Sequence, residues 1–242
     1  MHYQLAGCIL EINIALPRDS KWHLFKVTKT ENIFEGTSVN EKKDQRTLAK
    51  IEVKEEISGA EKSKRTATAV LDEQIYNHSI EKLIRNSVFH FHSSFVLYKG
   101  QAILFTGPSG IGKTTQAELW RNYEGAIIVN GDVTLVRKIN GCWKSFGLPL
   151  HGSTPYCENL DAPVKAVVVL KQSLQNSLIR LNGFTALSEC LPEIYRPPMQ
   201  EKTQEILYDT IDAFFSEIPI YQLSCRPDQE AVMLVKNKMF CN

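Results

Sequence analysis

The clearest chemistry in this 242-residue chain lies at residues 107–114. Gly107-Pro108-Ser109-Gly110-Ile111-Gly112-Lys113-Thr114 fits the spacing G-x-x-x-x-G-K-[ST] in full. In "AILFTGPSGIGKTTQAELW" it sits between an apolar run and an amphipathic one, the strand-then-helix context that the motif requires. Glycines let successive backbone N–H groups turn inward, and a helix N-terminus adds partial positive charge, so several donors face one anion. The pattern predicts a nucleotide phosphate cradle formed by Gly107, Ser109, Gly110, Ile111, Gly112, Lys113, Thr114 and Thr115. Lys113 would reach the β- and γ-phosphates, and the Thr114 hydroxyl would offer an oxygen to Mg²⁺, a hard cation usually shared between protein and phosphates.

A cradle alone does not separate a kinase from a motor ATPase or a GTPase. The next carboxylate narrows the choice. "AIIVNGDVTLV" is an apolar run interrupted by Asn130-Gly131-Asp132, which puts Asp132 at or just past a strand end, where ligands collect in open α/β sheets. Asp132 is therefore a candidate for magnesium or for a substrate hydroxyl. A guanine switch needs D-x-x-G and N-K-x-D segments, and neither is present.

These residues need elements to position them. Short alternating runs at Cys8–Ile14 and His23–Val27 predict half-buried strands and a β-rich start. Residues 41–65 carry charges of both signs around Ile51 and Val53 and suit an exposed hairpin. Ile80, Leu83 and Ile84 predict a short helix from Ser79, and "VFHFHSSFVLYKG" then reads as a strand, with a lobe boundary near residue 87. Beyond it we expect a strand at 102–105, a helix at 113–123, a strand at 126–129 and a hairpin turning at Asn140-Gly141. The apolar run 164–170, helical patterns at 185–194 and 201–218, a strand at 218–223 and a last helix capped by Asp228 complete an α/β order with some antiparallel pairing. Leu207, Ile211, Phe214 and Ile218 form a stripe of ordinary core packing.

Composition narrows the partners. With 28 Lys+Arg against 27 Asp+Glu the formal net charge is +1, which gives no basis for binding nucleic acid or anionic lipid. No run of 18 apolar residues exists, so no membrane span is expected. Leu5-Ala6-Gly7-Cys8 has the residue types of a lipoprotein cleavage site but lacks the basic start and long apolar region of a signal. The six cysteines show no ligand-like spacing and suit free thiols in a reducing cytoplasm, the expected location.

"HSSFVLYKGQAILFTGPSGIGKTTQAELW" followed by "GAIIVNGD" resembles the catalytic domain of HPr kinase/phosphorylase and the short kinases of the phosphoenolpyruvate carboxykinase-like superfamily. The resemblance runs from His90 to Asp132 and then more loosely through "GLPLHG", "APVKAVVVLKQ" and "IPIYQLSC". It implies a cradle-bearing mixed β-sheet with flanking helices over 87–242, preceded by a small β-rich lobe over 1–86. It also implies ATP with Mg²⁺ as cofactors, phosphorylation of a serine-type hydroxyl, Asp132 as general base, Lys113 on the phosphates and His92 as the active-site histidine of the preceding strand. Thr114 and Asp132 would be the metal ligands. Where the HPr enzyme carries two consecutive aspartates, ungapped alignment puts Gly131 opposite the first and Asp132 opposite the second. "WKSFGLPLHG" lacks that family's glutamate-arginine-glycine signature, so phosphorolysis is not expected to carry over.

Other polar residues are weaker candidates. His90 shares strand spacing with His92 and reads as structural; His151, Ser153 and Thr154 are candidate acceptor contacts that equally suit an ordinary surface, and Arg180 and Arg196 are candidate phosphate or acceptor contacts that read first as surface arginines. The leading expectation is a kinase whose acceptor is a peptide, a small protein or a metabolite, with homo-oligomerisation left open. A nucleotide-holding regulatory protein and an ATPase are the alternatives.

Overall fold

The computed structural model describes residues 1–12, 16–27, 48–51, 67–152 and 154–241. Most of the charged 41–65 segment, with Val53, and Ser153 lie outside these residues. β1 (His2–Leu5) and β2 (Cys8–Ile12) form an antiparallel hairpin, and β3 (Leu48–Ile51) joins β2 in parallel. The hairpin turns at Ala6 and Gly7 with φ of 50° and 74°, so Leu5-Ala6-Gly7-Cys8 is a tight turn ending in a buried thiol. The strand expected at His23–Val27 is instead a 3-10 turn, Lys21–Phe25. Ser20 caps it, its Oγ accepting from the Trp22 amide at 3.3 Å. Trp22 and Phe25, three apart, both reach the core, the spacing of a three-residue turn rather than of a strand.

α1 (Ala67–Ile84) begins well before Ser79 and packs against β3 and the main sheet. That sheet comprises β4 (Val88–Phe91), β5 (Ser93–Tyr98), β6 (Gln101–Thr106), β7 (Ile127–Asn130), β8 (Thr134–Ile139), β9 (Cys142–Phe146), β10 (Asp161–Gln172), β11 (Ser177–Arg180) and β12 (Ile220–Cys225). Its order is β4-β8-β9-β10-β6-β5-β7, with β12 beside β10 and β11 outside β12. β10 runs parallel to both β6 and β12 and antiparallel to β9. The sequence run 88–98 is two strands rather than one, broken at His92. The β8–β9 hairpin turns at Asn140-Gly141 as expected, with φ of 51° and 77°.

Side chains alternate across a strand, so the sheet separates two cores. Leu104 and Val167 join one, together with Tyr3, Trp22 and Phe89; Ile103, Phe105 and Val168 join the other. The unbroken apolar run of β10 follows, because both its faces are covered. α2 (Lys113–Glu124) and α5 (Gln229–Phe240) cover the second face, the latter capped by Asp228, which accepts from the Ala231 amide. α3 (Gly183–Cys190) and α4 (Glu201–Glu217) contribute to the first core, where the Phe214 ring meets Phe89, Trp143 and Phe215 edge-on. Truncating Phe214 to Ala would cost about 3–5 kcal/mol. Residues on both sides of position 86 share this first core.

Candidate functional site

The glycine loop leaves β6 and enters α2 at Lys113. Its turn demands left-handed backbone, with φ of 135° at Gly107, 80° at Gly110 and 113° at Gly112. No side chain caps α2 at Gly112. The first intrahelical bond runs from the Gln116 amide to the Gly112 carbonyl at 2.9 Å, so the amides of Gly112 to Thr115 precede the helical ladder and carry its positive end. Lys113 is buried and folds back over the loop, its Nζ donating to the carbonyls of Gly107 at 2.8 Å and Pro108 at 3.3 Å. Burial lowers its pKa, while Glu193 and Asp132 pull it back up.

Asp132 stands on a turn that Asn130 builds. The fully buried Asn130 side chain accepts from the amides of Asp132 and Val133, both at 3.0 Å, and donates to the Leu150 carbonyl at 2.7 Å. The Gly131 carbonyl accepts from Thr114 Oγ1 at 3.2 Å and from Ser94 Oγ at 2.6 Å. The loop, α2 and the Asp132 turn are thereby tied together. A side chain at Gly131 would collide with Thr154 Oγ1 and crowd Tyr156. At Gly152 a Cβ would lie 2.5 Å from Asp132 Oδ2, so only glycine lets that loop rest on the carboxylate.

His92 occupies the break between β4 and β5. Its N–H donates to the Glu193 carbonyl at 2.8 Å and its carbonyl accepts from Thr106 Oγ1 at 2.9 Å. Its ring is held from both sides, Nε2 against Asp132 Oδ1 and Nδ1 against Glu193 Oε2, each at 2.9 Å. An ionised carboxylate only accepts, so both ring nitrogens must donate, which is the imidazolium. In agreement, the bond to Asp132 raises the His92 pKa against the opposing burial and Lys113 charge. The same bond lowers the pKa of Asp132, outweighing its burial.

Nothing in the sequence pattern points to Glu193. It arrives on a 3-10 turn, Leu191–Glu193, pinned to β4 by a Phe91–Ile194 bridge and by the Tyr195 amide on the His90 carbonyl at 3.0 Å. His90 packs between the Tyr76 and Tyr195 rings, bonded to Tyr76 Oη at 2.6 Å, and burial lowers its pKa to about 4. That is a neutral packing residue. His151 is exposed beside Gly152, Arg180 lies on strand β11 at the sheet edge, and Arg196 is exposed.

Two clefts flank this arrangement. One, about 550 Å³, lies against Gly110, Gly112, Thr115 and Gln116 and reaches Leu170 and Cys225 at the strand ends. The other, about 540 Å³, is lined by Asp132, His151 and Gly152 together with Asp19, Lys21 and Asp72. The oxygens of Thr114 and Asp132 suit a hard divalent cation. Among the described residues no group of three His, Cys, Asp or Glu is arranged to hold a metal, so phosphates or water would have to complete such a shell.

No family model matches the chain, and no curated protein matches it. Among solved structures it is similar to the HPr(Ser) kinase/phosphatase from Coxiella burnetii, at 14% identity and a TM-score of 0.35 over 62% of this chain and 95% of that one. Likeness of that degree fixes neither fold nor function, which rest on the geometry. That geometry is a mixed α/β sheet with five α-helices among the described residues, none long and apolar enough to cross a membrane.

Proposed function

We propose that the chain is an ATP-dependent kinase that transfers the γ-phosphoryl group of magnesium-ATP to a hydroxyl. The observation that carries this reading is the tie of the glycine loop to the Asp132 turn, made by the Thr114 hydroxyl on the Gly131 carbonyl, with buried Lys113 folded over the loop and Asp132 bonded to His92. The uncapped start of α2 and Lys113 would bind the phosphates, and Thr114 and Asp132 would hold magnesium, which would neutralise charge on the transferring oxygens. Lys113 would exchange its loop carbonyls for phosphate oxygens. Asp132 accepts the acceptor's hydroxyl proton as the new O–P bond forms and the bond to ADP breaks. The products are ADP, a phosphoester and one proton. His92 acts through Asp132, orienting it and keeping it ionised, and Glu193 holds the ring of His92. The cleft beside Gln116 would take the nucleoside and the cleft beside Asp132 the acceptor.

A second reading, nucleotide holding without transfer, is favoured by one observation. Thr154 and Tyr156 take the space that a side chain at position 131 would need, leaving a single carboxylate on the turn.

Transfer of label from γ-labelled ATP into fractionated cell extract, for the wild type, Lys113→Ala and Asp132→Asn, separates these readings. Label in a discrete acceptor that is lost in both variants supports the kinase. Label only as free phosphate indicates an ATPase, and label retained in bound ATP indicates the regulatory reading.

A further inference from the structure

We propose that Gln116 reads the base of the nucleotide and selects adenine, which carries an amino group beside a ring nitrogen, over a purine with an oxo group in that place. That a nucleotide lies in this cleft rests on the kinase reading; which base it carries rests on the residues of the cleft. The cleft runs from Gly110 and Gly112 of the glycine loop to Leu170 and Cys225 near the ends of β10 and β12, the side of an open sheet where ligands collect. Its volume of about 550 Å³ is that of a small-ligand site.

Among the described residues, three buried side-chain atoms have no hydrogen-bond partner: Ser93 Oγ, Gln116 Oε1 and Trp120 Nε1. Of these residues only Gln116 lines either cleft. It stands on the first turn of α2, next to Thr115, and is 3% exposed. Its Nε2 donates to the Cys225 sulfur at 3.3 Å, a weak acceptor. The wall therefore holds a carboxamide with one unused acceptor beside one poorly used donor, an arrangement that costs stability unless a ligand completes it. The rest of the wall suits a neutral, flat base. Lys171 and Arg226 are the charged residues among those described in it, and each is already paired, Lys171 with Glu189 at 2.8 Å and Arg226 with Asp228 at 2.9 Å. Ile111 and Pro227 add apolar surface, and Leu174 at the rim is 87% exposed, so a base lying there would cover it. The last torsion of a carboxamide is broad, which lets the amide turn from Cys225 to the base. Against adenine both its groups bond: Oε1 accepts from the amino group, and Nε2 exchanges sulfur for the adjacent ring nitrogen. An oxo purine presents two acceptors on that edge, so Oε1 stays unpaired and one bond is lost.

The test measures binding, which needs no phosphoryl transfer. ATP and inosine triphosphate, which differ in the amino and oxo groups and share ribose and phosphates, are titrated calorimetrically into the full chain without magnesium, so that nothing turns over. ATP is expected to bind about tenfold or more tightly, the scale of a bidentate contact to one base. In Gln116→Met, which keeps the length of the side chain but offers neither hydrogen bond, ATP should fall to the affinity of inosine triphosphate while the latter hardly changes. An unchanged thermal melt is the folding control, and Gln116→Leu replaces the methionine variant if that one melts early. Equal affinities in the wild type, or a preference for ATP that survives in a folded variant, overturn the proposal. Equal affinities together with label passing from γ-labelled ATP to an acceptor leave the kinase reading standing without the base selection. A preference for ATP that depends on Gln116, with no label transferred, leaves the base selection standing and the kinase reading fallen. Binding of neither triphosphate overturns both.

Discussion

Lys113 and His92 are two cations near the same turn, and the chain satisfies them in opposite ways. Lys113 is buried against backbone carbonyls, whose dipoles leave its charge in place. His92 is clamped between two carboxylates, so with Asp132 and Glu193 it forms a group of net negative charge. Burial depresses the lysine, while its carboxylate partner Asp132 raises the histidine. The contrast divides the site into an end that can still draw an anion and an end that can accept a proton. Phosphoryl transfer needs that polarity, because positioning and charge neutralisation supply most of the catalysis.

The sharpest way to break the contrast is to remove each end in turn. With nucleotide at 100 times its dissociation constant, binding should stabilise the wild type by about 2.7 kcal/mol. Thermal melts with magnesium-free nucleotide should show that gain lost in Lys113→Ala and retained in Asp132→Asn. Transfer in Asp132→Asn should nonetheless fall by about 10²–10⁴, the scale of general-base catalysis. Equal loss of nucleotide stabilisation in both variants would mean that the two ends are not separate.

A second prediction adds charge to the acidic end. Gly131→Asp should destabilise the fold by about 1–3 kcal/mol in urea unfolding, since its Cβ meets the Thr154 hydroxyl. Gly131→Asp combined with Thr154→Ala should recover most of the loss. A single variant as stable as the wild type would show that Thr154 yields freely and that space does not keep position 131 empty.

The two ends also differ in how legible they are. The Lys113 end is one contiguous segment, and its requirements of positive φ, an uncapped helix start and a lysine are local, so spacing alone exposes them. The acidic end joins residues 92, 132 and 193, and Glu193 reaches His92 only because the 191–195 segment bonds to β4. No local pattern marks such a residue. Similar reasoning explains the elements that depart from the sequence pattern. "HLFKV" alternates like a strand, but Ser20 and the burial of Trp22 and Phe25 favour a 3-10 turn. The first half of α1 escapes a reading by periodicity because its inward face includes Asp72, a buried carboxylate that blurs the apolar stripe. The α2 helix, the β8–β9 hairpin and the Asp228 cap agree with the sequence pattern, since each is set by residues within one turn of itself.

The smallest effects should come from pH and from Glu193. The raised His92 pKa means that the protonated ring stabilises the fold fully below its ordinary value near 6.5, and that this contribution is lost as pH rises through the folded midpoint. The lowered Asp132 pKa works in the opposite sense, stabilising above the ordinary carboxylate range and failing as pH falls through the folded value. Between those two midpoints both charges hold, and the plateau of transfer rate should lie there. In Glu193→Gln the carboxamide can still accept from Nδ1 but no longer carries charge, so the His92 midpoint, followed by NMR of its ring protons, should drop. It should drop further in Asp132→Asn, because the Asp132 bond is the larger cause of the raised value. Transfer in Glu193→Gln should fall by about tenfold or less, or at most about 1.4 kcal/mol, with the high-pH limb of the profile moving in step with the His92 midpoint. A lowered midpoint with an unmoved limb would leave Glu193 a purely structural partner of His92. A limb that moves with it would show that the charge at position 193 reaches Asp132 through the imidazolium.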